Sequence, residues 1–526
     1  MYNMEKDNAT YPELGHIYSG DYCKEIPFGE YITKQDIPQG DTVFDIRVFG
    51  AIADSDYLST EAFHRAAEAC KEAGGGTIVV AGGTYRMGTV YVPNHTTLFI
   101  NSDAEIIASR NVDLLLFEGK PGYEHGQESG KGAFVVVENA ESVRITGGGK
   151  ISGDGEWFVY EPKEKPALKP FEVTKLPRRD QAEEINNIQG TVRYYYRQRI
   201  RYSEDKYKEG KANLRRPSYM VWVNNSRNVQ IDNIILHDAM CWTLNLECSD
   251  HIKVYNLIID DNRHVANSDG IDITGSSDVQ ISHCFVSCAD DGIVIKNPDH
   301  TRRAMHNICI RDCTVTTVMS GFKIGTETGH DIADVLVENC RFYMPDIYPG
   351  SVSGISIESC DGSHVSDVTI RNIMMDKVLS PIYICLNMRN RYNDPYIDGN
   401  GKNRYWGGSI SNILIENVRA ENAELPCIMT GFEAKRKDGS IVRNPLKNIQ
   451  ILNFVMKYRD NSEEIFIPKV FDEFLRDYPE SNAHGDVDAC GIWVRHADGI
   501  ILENISILPR HQNTREKIKK YDVKEI

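Results

Sequence analysis

The sequence lacks several features that would place it in a common class. It has no apolar run of about 18 residues, so no membrane-spanning helix is expected. Its N-terminal stretch has neither the basic nor the apolar segment of a secretory signal. Basic residues are in the minority, 59 against 76 acidic ones, and the formal net charge is −17. Neither a nucleic acid nor an anionic membrane is therefore an expected partner, since both attract a basic surface.

The cysteines show no pattern typical of a metal site. There are 13 of them, an odd number, and no histidine pair accompanies those that lie four residues apart. We interpret them as reduced thiols that fill the core of a cytoplasmic protein. We expect neither a metal nor another cofactor.

One short phrase recurs along the chain: a polar residue, then Val or Ile, any residue, and Ile or Val. Its aliphatic residues lie two apart, which is the period of a strand. The copies return about every 23 to 33 residues through the middle of the chain, a period that indicates a solenoid. They begin at Asn228, His251, Asp278, Asn307, Asp334, Asp367, Asn412 and Asn448.

The units between these copies contain strand and turn patterns but no helical pattern of ten or more residues, which is about the shortest helix that periodicity identifies. The sequence therefore predicts an all-β solenoid, a single-stranded parallel β-helix. In a second strand family the residues between the inward aliphatic ones should stack on one outer face. These residues are Asp272, Val294, Lys323 and Ser356.

The ends and interruptions of the solenoid are also visible in the sequence. Residues 59–73 have apolar residues at helical spacing and are followed by three glycines, which predicts an N-terminal capping helix. We expect residues 1–40 to be an N-terminal extension and residues 41–526 to form the β-helix. The charged, proline-containing stretch at about 155–217 should be an excursion that flanks the cleft.

Three carboxylates stand out. Asp269 and Asp291 each precede a Gly-Ile-x-Ile strand, 22 residues or one coil apart, and Asp290 adjoins Asp291. Because neighbouring strands lie about 4.8 Å apart, we expect the three groups within a few ångströms of each other. Like charges so close shift each other's pKa, so one stays protonated while another stays ionised. Glycoside hydrolysis needs such an acid together with a base or nucleophile.

Two other interpretations of these residues stay open. An Asp before a Gly is common in turns, although turn chemistry explains poorly a doublet placed next to another Asp. Clustered carboxylates also bind calcium.

The two segments resemble the signature of glycoside hydrolase family 28, the polygalacturonase family. The residues that match are Asn267, Asp269, Asp290, Asp291 and Lys296. The resemblance implies a right-handed β-helix and inverting hydrolysis, with Asp291 as general acid and Asp269 and Asp290 activating water. It also implies that Asn267 and Lys296 lie at the substrate. The stretch 491–497, near the end, resembles bacterial members.

The sequence departs from this family at two places. The family's Gly-His-Gly is replaced in the stretch 318–327, and its Arg-Ile-Lys is replaced by residues 356–358, Ser-Ile-Glu. In the family these basic residues hold a galacturonate carboxylate, so the pattern is more similar to the rhamnogalacturonan-hydrolase branch. Further candidates for substrate binding, some of them for a rebuilt anion pocket, are His264, Lys323, Glu327, Glu358 and Arg389.

The leading hypothesis is an inverting, exo-acting hydrolase of pectic or related oligosaccharides. One-coil spacing by itself would suggest a retaining enzyme, and the family resemblance suggests inversion. The alternatives are a polysaccharide lyase on the same fold and a carbohydrate-binding protein that has lost catalysis. The expected partner is an oligosaccharide, and the sequence gives no indication of the oligomeric state.

Overall fold

The computed structural model describes residues 26–117, 131–158, 216–263, 265, 267–345, 350–389, 407–435, 439–458, 470–476, 478–484, 486–509 and 514–525. Contacts divide the chain into two compact units, Met1–Pro166 with Glu204–Asp290, and Ala167–Ser203 with Asp291–Ile526. Of the expected excursion at 155–217, only the two ends lie among the described residues. No helix in the described part is long and apolar enough to cross a membrane.

The first unit contains three short helices and fifteen strands in its described residues. The helices are α1 (Phe28–Tyr31), α2 (Thr60–Glu72) and α3 (Gly155–Phe158), with a 3-10 turn at Val112–Leu114. The strands are β1 (Val43–Asp45), β2 (Gly76–Val80), β3 (Gly83–Met87), β4 (Val90–Tyr91), β5 (Thr96–Ile100), β6 (Ala104–Ala108), β7 (Ala133–Glu138), β8 (Glu141–Thr146), β9 (Lys150–Ser152), β10 (Tyr219–Asn224), β11 (Arg227–His237), β12 (Trp242–Glu247), β13 (Asp250–Asp260), β14 (Ile271–Thr274) and β15 (Ser277–Cys288).

Strands of the first unit pair in parallel with the strand one coil away. β11 pairs with β13 and β13 with β15, so the repeated aliphatic residues Val229, Ile252 and Val279 occupy one register position. All three side chains are buried. The same arrangement joins β7, β10, β12 and β14. Each aliphatic column therefore fills the interior, which is the packing that the two-residue period predicts.

The predicted capping helix forms as α2. Its apolar face packs against β1, β2 and β4, with Phe63, Ala66 and Cys70 fully buried. The helix stops at the glycine run because Gly75 has φ +122°, and a Cβ there would lie 2.5 Å from the carbonyl oxygen of His95.

Part of the N-terminal extension folds back on the first unit. Tyr31 of α1 is buried against Ile258 and Phe285, and the backbone N–H of Thr33 donates to the side chain of Asn233 at 2.7 Å. The described part of the extension, from residue 26, is thus packed onto the coils.

The second unit is built from sixteen strands in its described residues. Two 3-10 turns accompany them, at Asp299–Thr301 and Ser481–Ala483. The strands are β16 (Ile293–Asn297), β17 (Ile308–Arg311), β18 (Thr314–Thr317), β19 (Ser320–Thr328), β20 (Val335–Glu338), β21 (Arg341–Tyr343), β22 (Ser351–Ser359), β23 (His364–Asp376), β24 (Val378–Leu386), β25 (Ser409–Ala423), β26 (Cys427–Thr430), β27 (Phe432–Lys435), β28 (Ile441–Asn444), β29 (Leu446–Tyr458), β30 (Ala489–Pro509) and β31 (Glu516–Lys524).

All pairs of the second unit are parallel except the hairpin of β27 and β28. Val294 pairs with Lys323, Lys323 with Ser356, and Ser356 with Tyr383. These residues form one outer column, as the sequence predicts for Val294, Lys323 and Ser356. The all-β, parallel β-helix prediction is confirmed.

Asparagines within the long strands β25 and β29 have a structural role where the strands bend. Asn412, Asn448 and Asn453 have φ between 50° and 56°, a left-handed conformation that asparagine adopts more easily than most residues. The amide of Asn448 donates to Asn412 at 2.9 Å, and that of Asn412 donates to Asp367 at 3.0 Å. The repeated Asn thus both bends the chain and connects successive coils.

Candidate active site

In the first unit the turn before β14 holds Asp269 close to Asp290. Carboxylate oxygens of the two residues lie within 4.8 Å of each other, and the residues are 3% and 7% exposed. The backbone fixes this placement, because the carbonyl of Asp269 accepts from the N–H of Thr243 at 2.9 Å and that of Ser268 accepts from the N–H of Asp290 at 3.2 Å. The predicted proximity of these two carboxylates is therefore observed.

Asn267 connects this turn to Asp290. Its side-chain amide donates to Oδ2 of Asp290 at 3.4 Å, and its Oδ1 accepts from Arg216 at 3.5 Å. Its φ is +57°, which asparagine tolerates. The side chain predicted to lie at the substrate thus orients one of the predicted catalytic residues.

A buried carboxyl that the sequence analysis missed supports the same turn. Asp261 accepts from the N–H of Ala239 at 2.8 Å and from the hydroxyl of Thr243. Burial raises the pKa of Asp261 well above its usual range, against these two hydrogen bonds. The backbone N–H of Thr243 also donates to the carbonyl oxygen of Asp269. Asp261 is therefore connected through Thr243 to the turn that holds Asp269. In the sequence, the two consecutive aspartates at the end of β13, Asp260 and Asp261, are the feature that could have indicated this buried carboxyl.

Asp291 opens the second unit, and both of its carboxylate oxygens have a donor. The backbone N–H of Ser320 lies 3.3 Å from Oδ1, and the ammonium of Lys323 lies 3.1 Å from Oδ2. Asp291 is 4% exposed. Hydrogen bonds from an N–H and a cation both favour the ionised carboxylate.

Lys323 also faces a second carboxyl. Its ammonium lies 3.8 Å from Oε1 of Glu358, and both side chains are 1% exposed. Oε1 accepts from the hydroxyl of Ser356 at 2.6 Å, whereas Oε2 has no hydrogen-bond partner among the described residues. Burial raises the pKa of Glu358 to about 7, although Lys323 and Ser356 lower it in part. Burial lowers the pKa of Lys323, but Asp291 and Glu358 outweigh burial and leave it well above its usual range.

An irregular segment, which we call the strap (residues 470–476 and 478–484), lies over this outer column. The ring of Tyr478 lies 5.5 Å from the ammonium of Lys323. Ser481 bonds to Ser353 at 3.0 Å, and His484 bonds to the hydroxyl of Tyr383 at 2.8 Å. The strap therefore covers the outer face of the coils that follow Asp291.

The stretch 491–497 fastens the strap. Arg495 donates to the carbonyl oxygens of Phe471 at 3.2 Å and Asp472 at 2.7 Å. His496 lies 3.2 Å from Glu473 and 2.7 Å from Asp522. The motif that resembled bacterial members thus anchors the strap to the last coils.

The remaining predicted binding residues differ in their surroundings. Arg389 is paired with Asp361 at 3.1 Å and donates to the carbonyl of Thr326 at 3.1 Å. Lys296 and Glu327 are buried on their strands, at 4% and 1% exposure. His264 lies outside the described residues. Lys323 and Arg389, proposed from the sequence for an anion pocket, thus each have a carboxylate partner of their own.

One further group of ligand-type side chains lies in the second unit. Glu433, His496 and Asp522 have ligand atoms within 4.8 Å of one another. Arg443 bonds to Asp522 there, so a cation already occupies the position next to the carboxylate. In the first unit Asp269 and Asp290 supply oxygen ligands, but calcium takes about six to eight of them.

Comparisons with known proteins show which family the chain resembles. Residues 187–437 match the model of glycosyl hydrolases family 28. A probable polygalacturonase of Vitis vinifera is 23% identical, with 62% of this chain and 59% of the grape protein aligned. The chain therefore spans less than two thirds of that relative's length.

Two solved structures share the fold. The exopolygalacturonase of Thermotoga maritima matches with a TM-score of 0.60 at 17% identity, covering 91% of this chain and 94% of that one. The family 28 exopolygalacturonase of Yersinia enterocolitica matches with a TM-score of 0.62 at 17% identity, covering 92% and 79%. The signature carboxylates, the parallel β-helix and the match over residues 187–437 agree in their similarity to glycosyl hydrolases family 28.

Proposed function

We propose that this protein hydrolyses glycosidic bonds of pectic or related oligosaccharides, releasing units from a chain end with inversion. The observation that carries the proposal is the close pair Asp269 and Asp290, followed directly in the chain by Asp291, within the stretch that matches the family 28 model. Asp291 donates a proton to the leaving oxygen, and Asp269 with Asp290 takes a proton from the attacking water.

The charges of the second unit support a neutral or modified sugar rather than plain galacturonate. Glu358 occupies the place of the family's lysine, and Lys323 is already shared by Asp291 and Glu358. A galacturonate carboxylate at this position would meet an excess of negative charge, and burying an unpaired carboxylate costs several kcal/mol. The unpartnered Oε2 of Glu358 can accept a hydrogen bond from a sugar hydroxyl.

The strap supports the exo mode. It covers the outer face next to Lys323 and continues to Tyr383, which supports a site that is closed at this end to further sugar units. The two solved relatives named above are both exopolygalacturonases.

The twelve cysteines in the described part of the chain are free, which supports a reducing compartment such as the cytoplasm.

The test compares kcat/KM on oligogalacturonides and on rhamnogalacturonan oligosaccharides, for the wild type and for Glu358→Lys. We expect the wild type to prefer the rhamnogalacturonan fragments, and Glu358→Lys to lower KM for oligogalacturonides without raising kcat. Efficient hydrolysis of plain oligogalacturonides by the wild type would contradict the specificity argument.

One observation favours a second candidate, a carbohydrate-binding protein without turnover. Ser356 and Glu358 stand where the family signature has Arg and Lys. Binding of the same oligosaccharides without any product would support this candidate. A product that absorbs through a new double bond and is lost on chelation would instead indicate a lyase.

A further inference from the structure

The cluster around Lys323 contains more carboxyls than cations. Asp291, Glu358 and Glu480 all act on Lys323, and each of them is at most 4% exposed. Arg389, whose guanidinium lies over the ring of Tyr478, is paired with Asp361. Because buried like charges cannot all stay ionised at moderate cost, the cluster has to hold a proton.

Glu358 is the carboxyl whose surroundings favour the protonated form. One of its oxygens has no partner among the described residues, and its environment contains further negative or neutral groups. Among the described residues, Glu358 interacts electrostatically with Lys323, Asp291 and Glu480, and with Tyr383, Cys385 and Cys360. Of these, only Lys323 is a cation, and Lys323 lies closer to Asp291 than to Glu358.

We infer that Lys323 and Glu358 are positioning residues for Asp291, which hold and deliver the proton that Asp291 gives to the leaving oxygen. The inference rests on the proposed function, in which Asp291 is the general acid. It explains how a carboxylate that is ion-paired in the free enzyme can act as an acid.

The transfer is balanced and needs no other reactant. Lys323 gives one ammonium proton to Oδ2 of Asp291 and takes the carboxyl proton of Glu358, so its own charge is unchanged. Asp291 becomes the neutral acid and Glu358 becomes the carboxylate. The ammonium lies 3.1 Å from Asp291 and 3.8 Å from Glu358, so a small rotation of the lysine side chain moves the ion pair from the first carboxylate to the second.

The first test separates proton supply from structural damage. Glu358→Gln has nearly the same shape but cannot hold the proton. We expect it to lower kcat on rhamnogalacturonan oligosaccharides by about 10²-fold, the range for loss of acid catalysis. The loss of kcat should be at least about tenfold smaller on 4-nitrophenyl α-L-rhamnoside or 4-nitrophenyl α-D-galacturonide, whichever the wild type cleaves, because nitrophenolate leaves without protonation. Glu358→Asp should restore activity on the natural linkage.

Glu338→Gln is the matched control, because Glu338 is paired with Arg371 at 2.7 Å, outside this cluster. Glu338→Gln should hydrolyse both substrates with the kcat of the wild type. Equal losses on the oligosaccharide and the aryl glycoside in Glu358→Gln, or no loss on either, would overturn the inference.

A second measurement does not depend on turnover. Infrared difference spectra across about pH 4 to pH 8.5 should show a protonated carboxyl that titrates near pH 7 in the wild type and is absent in Glu358→Gln. In Asp291→Asn the same carboxyl should titrate at lower pH, because Asp291 then no longer competes for Lys323 and no longer raises the pKa of Glu358. If no substrate is cleaved but this band is present, the proposed function fails while the proton-holding role of Glu358 stands. If the oligosaccharide is cleaved but the band is absent, the inference fails while the proposed function stands.

Discussion

The carboxyls at or next to the predicted catalytic residues have different kinds of partner in the two units. In the first unit Asp261 and Asp290 receive hydrogen bonds from neutral groups: backbone N–H, a hydroxyl and the amide of Asn267. In the second unit Asp291 receives an ammonium. Neutral donors favour the ionised carboxylate only modestly, whereas a buried cation favours it strongly until a second carboxyl competes for that cation. Glu358 is this competitor.

The largest expected effect comes from replacing the three predicted catalytic aspartates, two of them in the first unit and one in the second. Asp269→Asn, Asp290→Asn and Asp291→Asn should each lower kcat by about 10³-fold or more, while the fold is retained, because an amide has the same shape but cannot transfer the proton. Kinetics on pectic oligosaccharides, with circular dichroism as the folding control, would measure this. Near-normal turnover of Asp291→Asn would refute its role as acid.

The second effect concerns the stability of the second unit. Lys323→Met leaves Asp291 and Glu358 buried without their shared cation, which should lower the free energy of unfolding by about 3–5 kcal/mol. Urea denaturation would measure the change. Lys457→Met is the control: Lys457 pairs with Glu421 at 2.9 Å but its side chain is 47% exposed, so the loss should stay below about 1 kcal/mol. Equal losses would contradict the buried-cation account.

The third effect is a pH dependence. The pKa of Glu358 is about 7 in the folded protein against 4.5 for an ordinary glutamate. The protonated form is favoured by folding, so this contribution to stability is complete below about pH 4.5 and is lost as the pH rises through about 7. Between these limits the free energy of unfolding of the wild type, relative to Glu358→Gln, should fall by up to about 3 kcal/mol. Parallel pH profiles of the two proteins would show that folding does not raise the pKa of Glu358.

The smallest effect tests the anchor of the strap. Burial lowers the pKa of His496, but Glu473 and Asp522 outweigh burial and raise it above 6.5. The imidazolium therefore stabilises the fold fully below about pH 6.5, and this contribution is lost as the pH rises through the higher folded value. His496→Gln should remove about 1 kcal/mol at low pH and less above pH 8. Thermal unfolding across this range would measure it, and a pH-independent loss would argue against a charged anchor.

The fold and the carboxylate turns could be predicted from the sequence because they rest on local, periodic signals. The column of Val229, Ile252 and Val279 follows from residues two apart and one coil apart. Asp269 was placed next to Asp290 by the same one-coil spacing. Backbone register determines both results, and side-chain rotamers hardly enter them.

The partners of Lys323 and the strap could not be predicted in this way. Lys323 was correctly placed on the outer face, but its four-carbon chain reaches back to Asp291 and across to Glu358, a choice that depends on rotamers and charge. The strap has no repeating pattern, and its position depends on single contacts such as those of Arg495 with the carbonyls of Phe471 and Asp472. Sequence periodicity contains no information on such contacts.

The most direct test of the central claim is product analysis by NMR. Wild-type protein and Asp291→Asn would be incubated with defined rhamnogalacturonan oligosaccharides, and the anomeric signals of the first products would be followed in time. We expect the wild type to release single units from one chain end with inverted configuration and Asp291→Asn to release almost none. Retained configuration, a product with a new double bond, or equal turnover by Asp291→Asn would contradict it.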